Sequence, residues 1–496
     1  MPQRNVMAWT CRVQRRTEAL CIAAVLSLLY CAQTATALDA QIQLGSVQLK
    51  DMAGFKPVQM TDLPDIFDEV ESKVTKTGRI HINGLVSTIN YDTFKKRSPD
   101  TKEETLKLKP EETGFAREIE VRLYRQPGRA PLAVTLLGFG QSCNDKVARA
   151  WQTYLYESGC HVLTFDSLIR NNMNEASGHG VAGNFVEEAH IITKIVDATL
   201  AQRKQDMPLR DNVSSVRLLG TSYGGLLALQ CLRETGAGTW PIDRCLILSI
   251  PVNMSTTARR LDSFAREDKP FFGLLSLMKL MHGFTPQEEQ PNAKEEALMR
   301  AGIGYVFHGD LDSFAKSNIH RYDPELPNRL NAWVDQPEQR QLQKEMLDTL
   351  EARQAAEDKE LEASYAGNKP GYDKAREELK ARHKIQKLVA KRQPNNIGEW
   401  NFQDYVFLLL KPYWKLKRGS STPVTLEKML IGAPNFVQVF IAADDPLNDM
   451  KEVDEYRKLI PEPRLNVIPH GGHLGYTGTH WTETLVTKFF AADKDN

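Results

Sequence analysis

The chain has 496 residues, and its 63 Lys and Arg are matched by 63 Asp and Glu, so no basic excess marks it for nucleic acid or an acidic membrane surface. With 41% hydrophobic and 8% aromatic residues it can bury a sizeable core, which excludes disordered and collagen-like classes. Its length is enough for two or three domains.

Residues 1–37 read as an export signal rather than as fold. Arg12, Arg15 and Arg16 form a basic start, and Ala19 to Ala32 is a 14-residue apolar stretch. That stretch is short for a hydrocarbon core of roughly 30 Å. Ala35-Thr36-Ala37 supplies a small-residue cleavage pattern, so the expected mature chain starts near Leu38 and is periplasmic or secreted, with no stable membrane insertion. An uncleaved anchor is the alternative. Removing four bases and one acid with the signal leaves a net charge of −3. Cys143, Cys160, Cys231 and Cys245 then remain; in an oxidising compartment they allow three pairings, and buried free thiols are an equal reading. No CxxC or Cys/His cluster suggests zinc, and neither a metal nor a cofactor is expected.

Residues 38–115 look like lead-in strands, with Arg79-Ile80-His81-Ile82-Asn83 alternating in the period of a half-buried strand. The same alternation runs from Arg117 to Tyr124. Leu132 to Leu137 is a continuous apolar run closed by Gly138-Phe139-Gly140, as expected of a strand covered on both faces. Similar runs follow at Cys160 to Phe165, Val216 to Leu219 and Cys245 to Ile250, separated by helical stretches such as Glu187 to Leu200. This alternation predicts a parallel α/β sheet over 116–255, resumed over 431–496 by Val437 to Ala442, Leu465 to Ile468 and a closing helix. Residues 256–430 are far longer than a loop and are expected to form an inserted domain. Inside it, Glu338 to Tyr365 carries eight acids and four bases, and Lys369 to Arg392 carries nine bases and three acids. The two read as a helical hairpin of opposite charge, a solvated cover for the core or, alternatively, a protein-partner surface at 338–392.

Gly220-Thr221-Ser222-Tyr223-Gly224 fits GxSxG, and the match gains weight from its setting between an apolar strand and a helix start. Glycines two residues either side of the serine remove side chains that would collide with the neighbouring strand or helix. A serine hydroxyl needs a base, and the base needs an orienting carboxylate. After the next-to-last strand comes Asp444-Asp445-Pro446, and after the last comes His470-Gly471-Gly472-His473-Leu474-Gly475. The 28 residues between Asp445 and His473 accommodate one helix and one strand, so both would emerge at the C-terminal edge of the sheet. Asp444 and His470 are the rivals of Asp445 and His473; His179 and His480 read as loop or surface histidines.

In these three motifs the chain resembles the α/β-hydrolase superfamily, in a serine esterase or lipase-like form with a large inserted cap. The resemblance implies a mostly parallel central sheet flanked by helices, with a mainly helical cap inserted before the last strands. It implies Ser222 as nucleophile, His473 as general base and acid, and Asp445 as the residue that holds the imidazole. It further implies an oxyanion hole from the backbone N–H groups of Tyr223 and Phe139, although the family often has His-Gly where Leu137-Gly138 stands here. The expected function is cleavage of a small-molecule carboxylic ester through an acyl-enzyme. Asp404 to Leu410 with Tyr413 and Trp414, and Phe271 to Leu275, offer apolar surface for a lipid or medium-chain acyl group, or simply pack the cap on the core. A non-catalytic binding or scaffold protein, a serine peptidase, a thioesterase and an acyltransferase are the alternatives on the same fold.

Overall fold

The computed structural model describes residues 55–65, 99, 103–178, 183–204, 207–235, 240–266, 362, 373, 376, 430, 433–460 and 462–491. The chain divides into two compact units, Gly45–Tyr322 with Pro423–Asn496 and Asp323–Thr422 with Met1–Leu44. Every element named below lies in the first. The expected signal at 1–37, the strand at 79–83, all but three residues of the helices at 338–392, the aromatic segments at 271–275 and 404–414, His179 and nearly all of the 256–430 insertion lie outside the described residues.

The strands are β1 (Glu104–Leu108), β2 (Ile119–Tyr124), β3 (Ala130–Leu136), β4 (His161–Thr164), β5 (Arg203–Lys204), β6 (Met207–Pro208), β7 (Val213–Thr221), β8 (Ile242–Leu248), β9 (Val437–Ala442) and β10 (Leu465–Ile468). The main helices are α1 (Lys146–Glu157), α2 (Phe185–Ala201), α3 (Tyr223–Thr235), α4 (Met254–Arg266), α5 (Met450–Leu459) and α6 (His480–Phe490). Eight strands form one sheet in the order β1-β2-β4-β3-β7-β8-β9-β10. From β4 to β10 all pairs are parallel, while β1 and β2 add an antiparallel edge. This is the mostly parallel, helix-flanked sheet expected of the α/β-hydrolase fold.

The continuous apolar runs are explained by burial on both faces. All seven residues of β3 and all six of β9 are buried. Alternation along β8 separates the two layers. Leu246 and Leu248 join the core cluster built on Trp151 of α1 and Trp481 of α6, whereas Ile247 between them lies against Gly225 of α3. Edge strand β1 has only Leu108 buried, and its charged alternation carries no signal in an apolar-run search. Among the described residues, no helix is long and apolar enough to cross a membrane.

One buried charge ties the last helix to the sheet. Arg217 of β7 is 2% exposed; its Nη2 donates to Asp243 Oδ2 at 3.0 Å, and Nη1 donates to the carbonyls of Phe490 at 2.7 Å and Ala491 at 3.0 Å. Cys143, Cys160, Cys231 and Cys245 are buried thiols outside any disulfide. Burial pushes the Cys143 thiol up to about 12, and Cys160, Cys231 and Cys245 are raised for the same reason.

Removing one partner of a buried pair strands the other charge, at a cost of about 3–5 kcal/mol. Asp243→Ala is therefore expected to lower unfolding stability by that amount, read from the urea midpoint.

Candidate active site

β7 runs directly into the turn that carries Ser222, and α3 begins at the next residue. Ser222 sits at φ +50°, a conformation that costs a residue with a Cβ and persists only where its surroundings impose it. Here the Ser222 N–H donates to the Leu248 carbonyl of β8 at 2.8 Å, and the Gly225 N–H donates to the Ser222 carbonyl at 2.9 Å. The flanking glycines are a steric requirement. A Cβ at Gly220 would lie 2.7 Å from the Gly224 carbonyl oxygen, and one at Gly224 would lie 1.9 Å from the Leu136 carbonyl oxygen of β3.

Parallel strands end at a common edge, so the loops after β9 and β10 arrive beside this turn. His473 Nε2 is 2.8 Å from Ser222 Oγ, and His473 Nδ1 is 2.9 Å from Asp445 Oδ2. A carboxylate only accepts, so Nδ1 carries the ring proton and Nε2 is left to accept from the Ser222 hydroxyl. Asp445 is held in turn: the Leu447 N–H donates to its Oδ1 at 2.9 Å and Asn448 Nδ2 to its Oδ2 at 3.3 Å. Asn448 also bridges to the segment after β8, donating to the Ile250 carbonyl at 3.0 Å and accepting from the Val252 N–H at 2.9 Å.

The structure separates the rival residues. Asp444 accepts from the N–H groups of Gly472 at 2.8 Å and Gly471 at 3.2 Å, and its Oδ2 is 3.9 Å from His470 Nδ1. Neither Asp444 nor His470 belongs to the Ser222-His473-Asp445 chain of hydrogen bonds. Burial pushes the Asp444 carboxyl up to about 6, with the two glycine N–H bonds pulling the other way. His480 opens α6 with an exposed side chain, 4.0 Å from Glu483.

Of the two expected oxyanion positions, Tyr223 directly follows Ser222 and Phe139 lies in the loop after β3. Tyr223 is the first residue of α3, where helix N–H groups point outward. The loop after β3 passes so close that a Cβ at Gly138 would lie 3.3 Å from Ser222 Cβ. Gly138 donates its N–H to Gln141 Oε1 at 2.8 Å, and the rings of Phe139 and Tyr223 meet edge to face with centroids 6.0 Å apart.

Two carboxylates unmarked by any sequence motif support these residues. Glu188 of α2 is fully buried; its Oε2 accepts from the Tyr223 hydroxyl at 2.6 Å and its Oε1 from the Gly183 N–H at 3.0 Å. Asp166, after β4, accepts from the Cys143 N–H at 2.8 Å and the Ser142 hydroxyl at 2.9 Å. Burial raises the Asp166 carboxyl, but hydrogen bonds from Cys143, Asn172 and Ser142 outweigh it and hold the group below the usual carboxylate range. Asp166 and Glu188 were missed because each acts on residues that only the fold brings near, and Gln141 and Asn448 because a side chain turned onto a neighbour three residues away leaves no motif in the sequence. Among the described residues, no group of three or more His, Cys, Asp or Glu is placed to hold a metal ion.

No model of a known protein family matches the chain, and no curated protein matches it in sequence. Among solved structures it is similar to a proline iminopeptidase from Mycobacterium smegmatis, at 12% identity and a TM-score of 0.35 over 78% of this chain and 97% of that one. It is similar to an esterase from Exiguobacterium antarcticum, at 14% identity and a TM-score of 0.31 over 72% of this chain and 90% of that one. A hyperthermophilic esterase from the archaeon Pyrobaculum calidifontis is 20% identical with a TM-score of 0.23; 38% of this chain spans 54%, about half, of that one.

Gly224→Ala forces a methyl group into a central-strand carbonyl that cannot withdraw, and is expected to cost at least about 3 kcal/mol of stability in chemical denaturation. Asp444 gives a pH signature. Its native value near 6 exceeds the reference 3.8, so the native state holds this proton more tightly than the unfolded chain. The contribution to stability is full below about pH 4 and is lost as the pH rises through 6. Against Asp444→Asn, the wild-type chain should lose roughly 3 kcal/mol across that window, measured by denaturant midpoints at stepped pH.

Proposed function

We propose that this chain, built on an α/β-hydrolase fold, is an exported serine hydrolase that cleaves a carboxylic ester through an acyl-enzyme. The observation that carries this reading is the unbroken chain from Ser222 Oγ to His473 Nε2 at 2.8 Å and from His473 Nδ1 to Asp445 Oδ2 at 2.9 Å. Export rests on the basic, apolar and small-residue pattern of residues 12–37.

In this mechanism His473 Nε2 takes the Ser222 proton as Oγ attacks the ester carbonyl carbon. The tetrahedral oxyanion is held by the backbone N–H groups of Tyr223 and Phe139, with the first turn of α3 adding its positive dipole end. His473 then gives its proton to the departing alkoxide, which leaves as the alcohol, and the acyl group stays on Ser222. A water deprotonated by His473 attacks the acyl-enzyme, and His473 returns that proton to Ser222 Oγ as the carbon–oxygen bond breaks and the acid is released. Throughout, Asp445 keeps Nδ1 protonated and stabilises the imidazolium. The strained turn at Ser222 serves this chemistry by holding Oγ clear of its own backbone and in line with the imidazole. The aromatic segments at 271–275 and 404–414 favour a lipid or medium-chain acyl group as substrate.

A fluorophosphonate probe should label the wild-type chain, and labelling should vanish in Ser222→Ala. Asp445→Asn leaves the imidazole in the wrong tautomer and is expected to lower kcat by about 10⁴-fold. A panel of chromogenic esters from short to long acyl chains reads substrate depth; turnover that rises with length supports the lipid reading. A folded wild-type chain that neither labels nor turns over any ester would sink the proposal in favour of a binding or scaffold role.

A further inference from the structure

The loop that presents His473 has a backbone that does not support itself. Gly471 at φ +134°, Gly472 at φ +56° and Leu474 at φ +64° place three of four consecutive residues in the left-handed half of conformational space. Two of them are glycines, the residues with most freedom to leave such a conformation, and the third pays for its Cβ. A segment of this kind keeps one shape only where side chains from elsewhere hold it.

They hold it from both sides. Upstream of His473, the Asp444 carboxylate at the end of β9 takes the Gly472 N–H on Oδ1 at 2.8 Å and the Gly471 N–H on Oδ2 at 3.2 Å. Downstream, Ser249 at the end of β8 takes the Leu474 N–H on Oγ at 3.2 Å. Ser249 Oγ also bonds the Tyr476 hydroxyl at 2.9 Å, so the same atom ties the loop's far end to β8. Ser249 is itself at φ +51°, and its N–H donates to the Phe440 carbonyl of β9 at 2.8 Å. Asp444, Ser249 and Tyr476 are all buried, so water does not compete for these bonds.

Asp445 cannot do this work alone. Its one bond to His473 Nδ1 fixes the ring at a single point, about which the imidazole can pivot if the backbone beneath it shifts. We propose that Asp444 and Ser249 are positioning residues for His473: they hold the amides on either side of it, so that Nε2 stays within hydrogen-bond reach of Ser222 Oγ. Its kinetic consequence rests on the serine-hydrolase reading above, while its structural consequence, an immobile 471–474 backbone, does not.

The test uses the full chain and three variants, Asp444→Ala, Asp444→Asn and Ser249→Ala. Three quantities are read: the rate of fluorophosphonate labelling at Ser222, kcat and KM on a chromogenic ester, and hydrogen exchange of the peptide spanning 469–476. A displacement of the order of 1 Å at a reacting group costs about 10²-fold. Asp444→Ala should therefore lower the labelling rate and kcat by roughly 10- to 100-fold with KM within about twofold, and should speed exchange in the 469–476 peptide. Asp444→Asn keeps an acceptor for the shorter bond, from the Gly472 N–H, but sets an NH2 against the Gly471 N–H, and should restore part of the rate. Ser249→Ala should show the same split, and it carries the test by itself if Asp444→Ala does not fold. A folded Asp444→Ala or Ser249→Ala chain that labels at the wild-type rate, or loses only KM, overturns the proposal, as does unchanged exchange in the loop. If the wild-type chain never labels, the hydrolase reading fails, and the exchange experiment alone then decides whether these side chains hold the loop.

Discussion

The site depends on how closely the end of β3 approaches the first turn of α3. At Gly224 the helix backbone lies where any Cβ would be 1.9 Å from the Leu136 carbonyl oxygen. That closeness leaves one residue to reverse the chain between β7 and α3, and the residue is Ser222 at φ +50°. The strain is sustained by bonds the sheet supplies, chiefly the 2.8 Å bond from the Ser222 N–H to β8. A looser contact would relax the turn and let the hydroxyl swing away from the edge where the other loops converge.

The second consequence concerns buried polar groups. Asp444 and Asp445 are neighbours in sequence and both buried, yet they serve different partners: Asp444 the backbone of the histidine loop, Asp445 the imidazole. Two adjacent buried carboxylates are costly unless each is bonded. Each here accepts at least two hydrogen bonds, Asp445 from Leu447, Asn448 and His473, and Asp444 from Gly471 and Gly472. Glu188 and Asp166 do the same for the loops around Tyr223 and Gly138. The buried carboxylates near the edge of the sheet thus each accept from loop amides that the strand ladders leave over.

Much of the sheet was legible because strands buried on both faces read as unbroken apolar runs. Leu132 to Leu137 foreshadows β3, and Val437 to Ala442 coincides with β9. Boundaries slipped where apolar character and pairing part company: the run from Cys160 to Phe165 holds only the four paired residues His161–Thr164, because its ends are buried without joining the ladder. Strand β1 was not legible, since an edge strand with a single buried residue has no apolar run to show.

The sequence by itself determined that a serine on a tight strand-to-helix turn is followed, in order, by acidic and histidine turns after later strands. Glycine spacing carries that information because a turn this tight presses the backbone two residues either side of Ser222 against main chain, of the turn itself at Gly220 and of β3 at Gly224. Only the tertiary structure places Asp445 rather than Asp444 against the imidazole of His473, and His473 rather than His470 against Ser222, and only it revealed Ser249, Glu188 and Asn448. The physical reason is range. A hydrogen bond is made or lost within a few tenths of an ångström, while Ser222 and His473 are 251 residues apart and Asp445 and His473 are 28 apart. Strand register and the left-handed turns at Gly471, Gly472 and Leu474 set those distances, and no spacing in the chain encodes them.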